Sequence, residues 1–189
     1  FPFSSQKKPF YIFIETQGNA VNPGRIIDDS FEAEITFNAA QYLKNALQEK
    51  QQNIKITVQR SEDLSNATIA NRLKVDLYLQ ISACKSNNTG INLFSFSYHD
   101  SFILKDGLSF ISYDQIYLLN KITTDSWLEI VSDSLEQNKL LKGVYSFPYR
   151  PLIGIKAPAF ALELSLKNKS ELLECITIFA HSLEPIIKD

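Results

Sequence analysis

The sequence predicts an α/β protein: one mixed, mostly parallel sheet with helices packed on both faces. Three observations point there. Short apolar runs rich in β-branched and aromatic residues recur along the chain, longer segments between them carry apolar residues at helical spacing, and the two kinds of segment alternate. The runs from Phe10 to Glu15, Ile54 to Arg60, Val75 to Ser82, Ile91 to Tyr98 and Ala159 to Leu164 read as strands. Phe31, Ile35, Ala39, Leu43 and Leu47 fall at every fourth position between Phe31 and Gln48, so this segment reads as a long helix whose Phe31-to-Leu47 face packs on the sheet. Ser65 to Leu73 reads as a shorter helix and Asp114 to Leu140 as a longer one. Leu172, Leu173, Ile176, Phe179, Ala180, Leu183 and Ile187 form the stripe of a closing helix. The stretch His99 to Tyr113 breaks the rhythm and reads as an excursion at one end of the sheet.

Length and composition narrow the function classes. The 189 residues, 44% hydrophobic and 21% charged, suffice for one sizeable core, and no repeat or linker divides them, so residues 1–189 read as a single domain. A net charge of −2 without a strongly basic block gives no electrostatic case for nucleic acid. No run approaches the roughly 18–20 apolar residues of a membrane span. The chain begins at Phe1, as expected of a processed or trimmed protein. Cys84 and Cys175 lie on different predicted elements, without metal-ligand spacing, and read as buried free thiols. No phosphate-binding or dinucleotide loop is present. Cys84 has no base fixed beside it, so a thiol nucleophile is a poor reading.

Five strings, in order, are more specific. A first strand leads into Glu15-Thr16-Gln17-Gly18-Asn19-Ala20, followed by Asn22-Pro23-Gly24. The long helix opens on Glu32-Ala33-Glu34-Ile35-Thr36, and a strand ends in Gln59-Arg60 with Glu62 and Asp63 behind it. Ala70-Asn71 precedes Val75-Asp76-Leu77-Tyr78-Leu79-Gln80-Ile81-Ser82-Ala83-Cys84, with Gly90-Ile91-Asn92-Leu93-Phe94 following. The last string is Ala157-Pro158-Ala159-Phe160-Ala161-Leu162-Glu163-Leu164. Together they resemble the DPGHGG loop, the glutamate-led helix, the strand ending in TR, the ADLFVSIHAN strand and the MPAVLVELGF strand of zinc-dependent N-acetylmuramoyl-L-alanine amidases of bacterial cell walls. The resemblance covers nearly the whole chain.

The resemblance implies three zinc ligands and a general base, at Gly18, Glu32, Ser82 and Glu163 of this sequence. Two positions have lost their chemistry. Glycine has no side chain and serine offers a neutral hydroxyl, whereas an amidase zinc needs imidazole donors and one open position to polarise the amide carbonyl and acidify water. The only histidines, His99 and His181, read as a strand-end or loop residue and an exposed helix residue. The resemblance therefore implies a degenerate member: no bound zinc, no metal ligands, and a vestigial Glu163 in place of a catalytic residue. Two carboxylates without their metal would repel, so either one takes a proton or a basic group moves in, with Arg25, Arg60, Arg72 and Lys156 as candidates. Histidines restored at Gly18 and Ser82 would be expected to restore zinc binding.

On this reading the chain is a binding or regulatory module of the bacterial envelope, periplasmic or otherwise extracytoplasmic, whose partner is a peptidoglycan peptide or an envelope protein. The aromatic residues Phe94, Phe96, Tyr98, Phe102, Phe110, Tyr113, Tyr145, Phe147 and Tyr149 could serve either partner or the core. The alternative is an active peptidoglycan amidase with a rebuilt site, using Glu32, Glu163 and His99. A third is a structural subunit whose old cleft is filled. A shared location of Glu15, Ser82 and Glu163 at one end of the sheet is the first structural requirement of the family reading.

Overall fold

The computed structural model describes residues 8–61, 65–98 and 112–188. Six strands form one sheet: β1 (Phe10–Thr16), β4 (Ile54–Arg60), β5 (Leu77–Lys85), β6 (Gly90–Phe96), β7 (Leu141–Phe147) and β8 (Ala159–Leu166), in the order β4-β1-β5-β8-β6-β7. β4, β1, β5 and β8 are mutually parallel; β6 runs antiparallel to β8 and β7 parallel to β6, so the last two strands run against the other four. The central strands are covered on both faces, which is why FYIFIET and LYLQISACK are near-continuous apolar or neutral runs. A two-stranded ladder of β2 (Ile26–Ile27) and β3 (Ser30–Phe31) precedes the first helix.

Three helices, α1 (Glu32–Lys50), α3 (Lys121–Gln137) and α4 (Leu172–Lys188), pack on one face of the sheet, and α2 (Ser65–Leu73) on the other. α1 buries Ile35, Ala39, Leu43 and Leu47, as its four-residue spacing requires. Glu32 and Glu34 in its first turn and Lys50 in its last suit the helix dipole. A capping box of Asn168 and Glu171 opens the turn that leads into α4.

The structure corrects several sequence expectations. Phe31 is not part of the packed α1 face: it precedes the helix, pairs with Ile26 in the small ladder and is 48% exposed. The expected helix from Asp114 to Leu140 is a 3₁₀ segment, Tyr113–Asn120, followed by α3, which stops at Gln137 because Lys139 turns the chain with a φ of 55°. β7 was not expected at all; it is an edge strand interrupted by Gly143, and most of its residues are exposed. The third predicted strand starts later and runs on to Lys85, and the fourth ends at Phe96 rather than Tyr98. His99 and the body of the predicted excursion lie outside the described residues, as do Glu62, Asp63, Phe102 and Phe110. Both thiols are free, Cys175 buried and Cys84 only half-buried. No helix among the described residues is long and apolar enough to cross a membrane.

Candidate functional site

Side chains alternate across the sheet, so odd-numbered residues of β1 and β8 and even-numbered residues of β5 and β6 share the face opposite α1. Along that face the strands pass from core to polar site. Phe13 stacks on Tyr78 with ring centroids 5.3 Å apart. One pleat further on are Glu15 and Gln80, which are register partners, and beyond Gln80 comes Ser82, paired with Glu163. Glu15, Ser82 and Glu163 therefore share one face, in the C-terminal halves of parallel strands, as the family reading requires.

The loop from Gln17 to Arg25 is wrapped on the start of α1. The helix has no side-chain N-cap; instead the N–H of Glu32 donates to the Arg25 carbonyl at 2.7 Å and the N–H of Ala33 to the Pro23 carbonyl at 3.0 Å. Thr36 donates its hydroxyl proton to the Gln17 carbonyl. Asn19 accepts the N–H groups of Val21 and Asn22 on its side-chain oxygen and donates to the Ser61 carbonyl, closing the loop onto the end of β4. Gly24 has a φ of +79°, and a Cβ there would lie 2.7 Å from a Glu32 carboxylate oxygen, so the turn that delivers Arg25 to Glu32 requires glycine.

Arg25 sits between the two glutamates. Its Nε and Nη2 donate to the two oxygens of Glu32 at 3.1 and 3.2 Å, and Nη1 lies 3.1 Å from Oε2 of Glu163. Its backbone N–H also donates to Glu32 Oε2, and the Ala83 N–H donates to Glu32 Oε1 at 3.0 Å. Glu32 is buried, whereas the Arg25 side chain is 52% exposed. Partial burial disfavours the charge on Arg25, but the Glu32 hydrogen bonds and the fields of both carboxylates outweigh it and hold the guanidinium above its ordinary pKa. Asn92 Nδ2 completes the cluster, 3.4 Å from Glu163 Oε1.

Among the four candidate basic partners, Arg25 is thus the one that meets the carboxylates. Arg60 instead donates to the Ala33 carbonyl and lies over the Phe37 ring. Lys156 is held by its backbone, through Asn71 and Asn120. Ser82 is buried and its hydroxyl faces the Leu162 carbonyl at 3.4 Å. Tyr149, raised in pKa by burial, hydrogen-bonds Ser82 and donates to Gln80 Oε1, which in turn is linked through its amide to Gln17. Sequence reasoning had placed Tyr149 only in an aromatic cluster. Tyr149 stacks on Phe94, and Tyr145 and Phe147 pack around the same ring while each remains at least 40% exposed.

Glu15 lies on this face without joining the cluster. It is buried, accepts the Tyr78 hydroxyl proton and is hydrogen-bonded by Ser61 and Asn66; burial dominates and raises its pKa. Burial likewise raises the Cys84 thiol. His181 is an exposed α4 residue beside Lys50 and Glu184.

Among the described residues, the donors at these positions do not fit zinc. Gly18 contributes no side chain, has a φ of +83° and would place a Cβ 2.8 Å from that of Ala33. Ser82 offers one neutral hydroxyl, and a guanidinium bonds both carboxylates. No three His, Cys, Asp or Glu side chains among the described residues are grouped to hold a metal ion.

Comparison with known proteins bears on the architecture. No protein-family profile matches the sequence, and no curated protein matches it. Solved structures do. The N-acetylmuramyl-L-alanine amidase Ami1 of Mycobacterium smegmatis superposes with a TM-score of 0.65 at 14% identity, over 94% of this chain and 95% of that one. The catalytic domain of CwlV, an N-acetylmuramoyl-L-alanine amidase of Bacillus (Paenibacillus) polymyxa var. colistinus, gives 0.64 at 14% identity over 92% and 93%. The CwlD amidase of Clostridioides difficile, solved in complex with the GerS lipoprotein, gives 0.61 at 15% identity over 92% and 93%. The chain has the fold of N-acetylmuramoyl-L-alanine amidase catalytic domains, over nearly its whole length.

Proposed function

We propose that this chain is a degenerate N-acetylmuramoyl-L-alanine amidase domain that binds in the bacterial envelope instead of cleaving. The observation that carries the reading is Gly18. The residue aligned with the first zinc histidine is a glycine in the left-handed region, packed so closely on Ala33 that a side chain has no ordinary place there. With Ser82 at the second histidine position, two of three imidazole or carboxylate donors are missing. Glu163 then has no metal-activated water to deprotonate.

Beside this loop the surface opens into a hollow. It is polar, about 350 Å³ in volume, and lined by Gln17, Gly18, Asn19, Asn22, Ser61, Arg150 and Pro151. Its side-chain amides and Arg150 suit a peptide with carbonyl and carboxylate groups, so a peptidoglycan peptide is the favoured partner. An envelope protein is the second partner, favoured by the exposed Tyr145 and Phe147 and by a structural relative, CwlD, that was solved with a lipoprotein. Both place the chain outside the cytoplasm.

The test combines elemental analysis, turnover and binding. After chelation and dialysis against zinc, the protein should carry no stoichiometric zinc and should release no peptide from muropeptides, yet co-sediment with purified sacculi. Turnover of the muramoyl-alanine bond would refute the reading. Retention of an envelope protein with no affinity for sacculi would replace the first partner by the second.

A further inference from the structure

The two glutamates that remain at amidase positions are not idle, and their surroundings show what has taken the metal's place. Of the four carboxylate oxygens that would face a cation between them, both of Glu32 and Oε2 of Glu163 are met by the Arg25 guanidinium, and Oε1 of Glu163 by the Asn92 amide. The side-on edge of the guanidinium, Nε with Nη2, takes Glu32 in the bidentate geometry that suits a carboxylate, and Nη1 reaches Glu163. The remaining capacity of Glu32 is met by the N–H groups of Arg25 and Ala83. One residue therefore ties together four separate pieces of chain: its own loop, the first turn of α1, the end of β5 through Glu32, and β8.

We propose that Arg25 is the resident cation of this site: a side chain built in where the fold family carries a divalent metal, doing the structural half of the metal's work and shutting divalent metals out. The proposal rests on the degenerate-amidase reading above. The charge arithmetic supports it. Two carboxylates approached from the same side repel, and a single guanidinium reduces their summed charge from −2 to −1 while satisfying their lone pairs. A divalent ion entering as well would have to displace a guanidinium held by three side-chain contacts. Among the described residues it would find mainly oxygen donors in its place, the carboxylates, the Ser82 hydroxyl and the Asn92 amide, beside a Cys84 thiol that hydrogen-bonds Glu163 and that burial keeps protonated.

The loop geometry suits this arrangement. Gly24, which carries no Cβ, lets the backbone pass within contact of the Glu32 carboxylate, and the turn made by Asn19 fixes the preceding residues to the end of β4. Removing the guanidinium should accordingly unmask a weak site for a hard divalent cation. The same removal should loosen the contact between the loop and α1.

The experiment compares the full chain with Arg25→Ala, Arg25→Lys and Arg25→Ala/Glu163→Gln, all freed of metal by chelation and then titrated with Mn²⁺. The readouts are the unfolding midpoint and the bound fraction from the Mn²⁺ electron paramagnetic resonance signal. The native chain should respond to neither chelator nor Mn²⁺. Arg25→Ala should melt roughly 3–8 °C lower and recover part of that loss in millimolar Mn²⁺, with about one ion bound. The double variant should melt low without recovery. Arg25→Lys, which keeps the charge but not the fork, should melt in between and ignore Mn²⁺; it also keeps the test alive if Arg25→Ala does not fold. Mn²⁺ bound stoichiometrically by the native chain, or an Arg25→Ala protein with native stability and no Mn²⁺ uptake, would overturn the proposal. Neither result involves turnover, so each leaves the degenerate-amidase reading to its own test.

Discussion

The two faces of the central sheet are built on different rules. Against α1, α3 and α4 the strands present Ile12, Ile14, Leu77, Leu79, Ile81, Phe160, Leu162 and Leu164, a run of hydrocarbon. On the opposite face each strand changes character along its length: Tyr11 and Phe13 give way to Glu15, Tyr78 to Gln80 and Ser82, Ala161 to Glu163. The first face is almost all packing, with the buried Thr16 at the end of β1 its polar exception. The second is core at one end and a polar cluster at the other, and the transition takes place within two residues of one strand. This is how a rigid scaffold places charged groups: neighbours on the same strand that are fully packed hold them in register.

The sharpest way to break this comparison is to delete a ring from the packed end of the second face. Phe13→Ala should cost about 3–5 kcal/mol, because Phe13 is fully buried and stacked on Tyr78. A loss below about 1 kcal/mol in denaturant unfolding would mean that this face is not core at that end. On the first face, Leu43→Ala should cost about 2–5 kcal/mol, since Leu43 is fully buried in the middle of the α1 stripe. An unchanged denaturation midpoint would contradict the packing described for α1.

These two residues also show what the sequence made legible. Period four in α1 and near-continuous apolar runs in the central strands report burial directly, so the sheet, the helices and the assignment of most of the core follow from local pattern. Pattern fails where burial is partial. β7 lies at an edge, exposes Val144, Tyr145 and Phe147, and carries Gly143, so nothing in it alternates or repeats. Phe31 kept the period of α1 but sits one residue before the helix, where the small ladder turns it outward. At the site, the positions of Glu32 and Glu163 were legible because they lie in ordered strings. The pairing with Arg25 was legible only as a need for a cation, since Arg25, Arg60, Arg72 and Lys156 met that need equally on paper. What selected Arg25 is a contact between β8 and a loop more than a hundred residues earlier, together with a glycine turn.

A smaller and pH-dependent effect separates the polar end from the packed one. Burial raises the Glu15 carboxyl above its ordinary 4.5, against the hydrogen bonds of Tyr78, Ser61 and Asn66. For a raised carboxyl the folded state binds more protons than the unfolded one in the window above 4.5. Its stabilising contribution is therefore complete below that value and is lost as pH rises through the folded pKa. Glu15→Gln should flatten this decline and raise stability near neutrality by on the order of 1–2 kcal/mol, with little change at the acid end. Unfolding midpoints of both proteins across pH 4–8 (roughly the window set by carboxylate titration) give the answer, and parallel curves would show that Glu15 does not titrate in it.

The smallest expected effect is a null. Restoring histidine at both lost ligand positions, Gly18→His with Ser82→His, was expected from the sequence to bring zinc back. The structure argues that it will not. The backbone at Gly18 has a φ of +83°, and any Cβ there meets the Cβ of Ala33 at 2.8 Å and the Pro23 carbonyl at 3.2 Å, so an imidazole enters only by moving the loop that carries Arg25. Ser82 is buried against the Leu162 carbonyl and Tyr149, so its replacement must also displace a ring. Even with both imidazoles in place, zinc would compete with a guanidinium already bonded to Glu32, its third ligand. After chelation and dialysis against zinc, the double variant should hold well under one equivalent by elemental analysis. Adding Arg25→Ala then separates the two obstacles. Zinc uptake that appears only in the triple variant would identify the guanidinium as the barrier, whereas continued failure would place it in the backbone at Gly18. One full equivalent in the double variant would show that the loop yields easily, and that the polar end of this face is less rigidly held than its packed neighbours require.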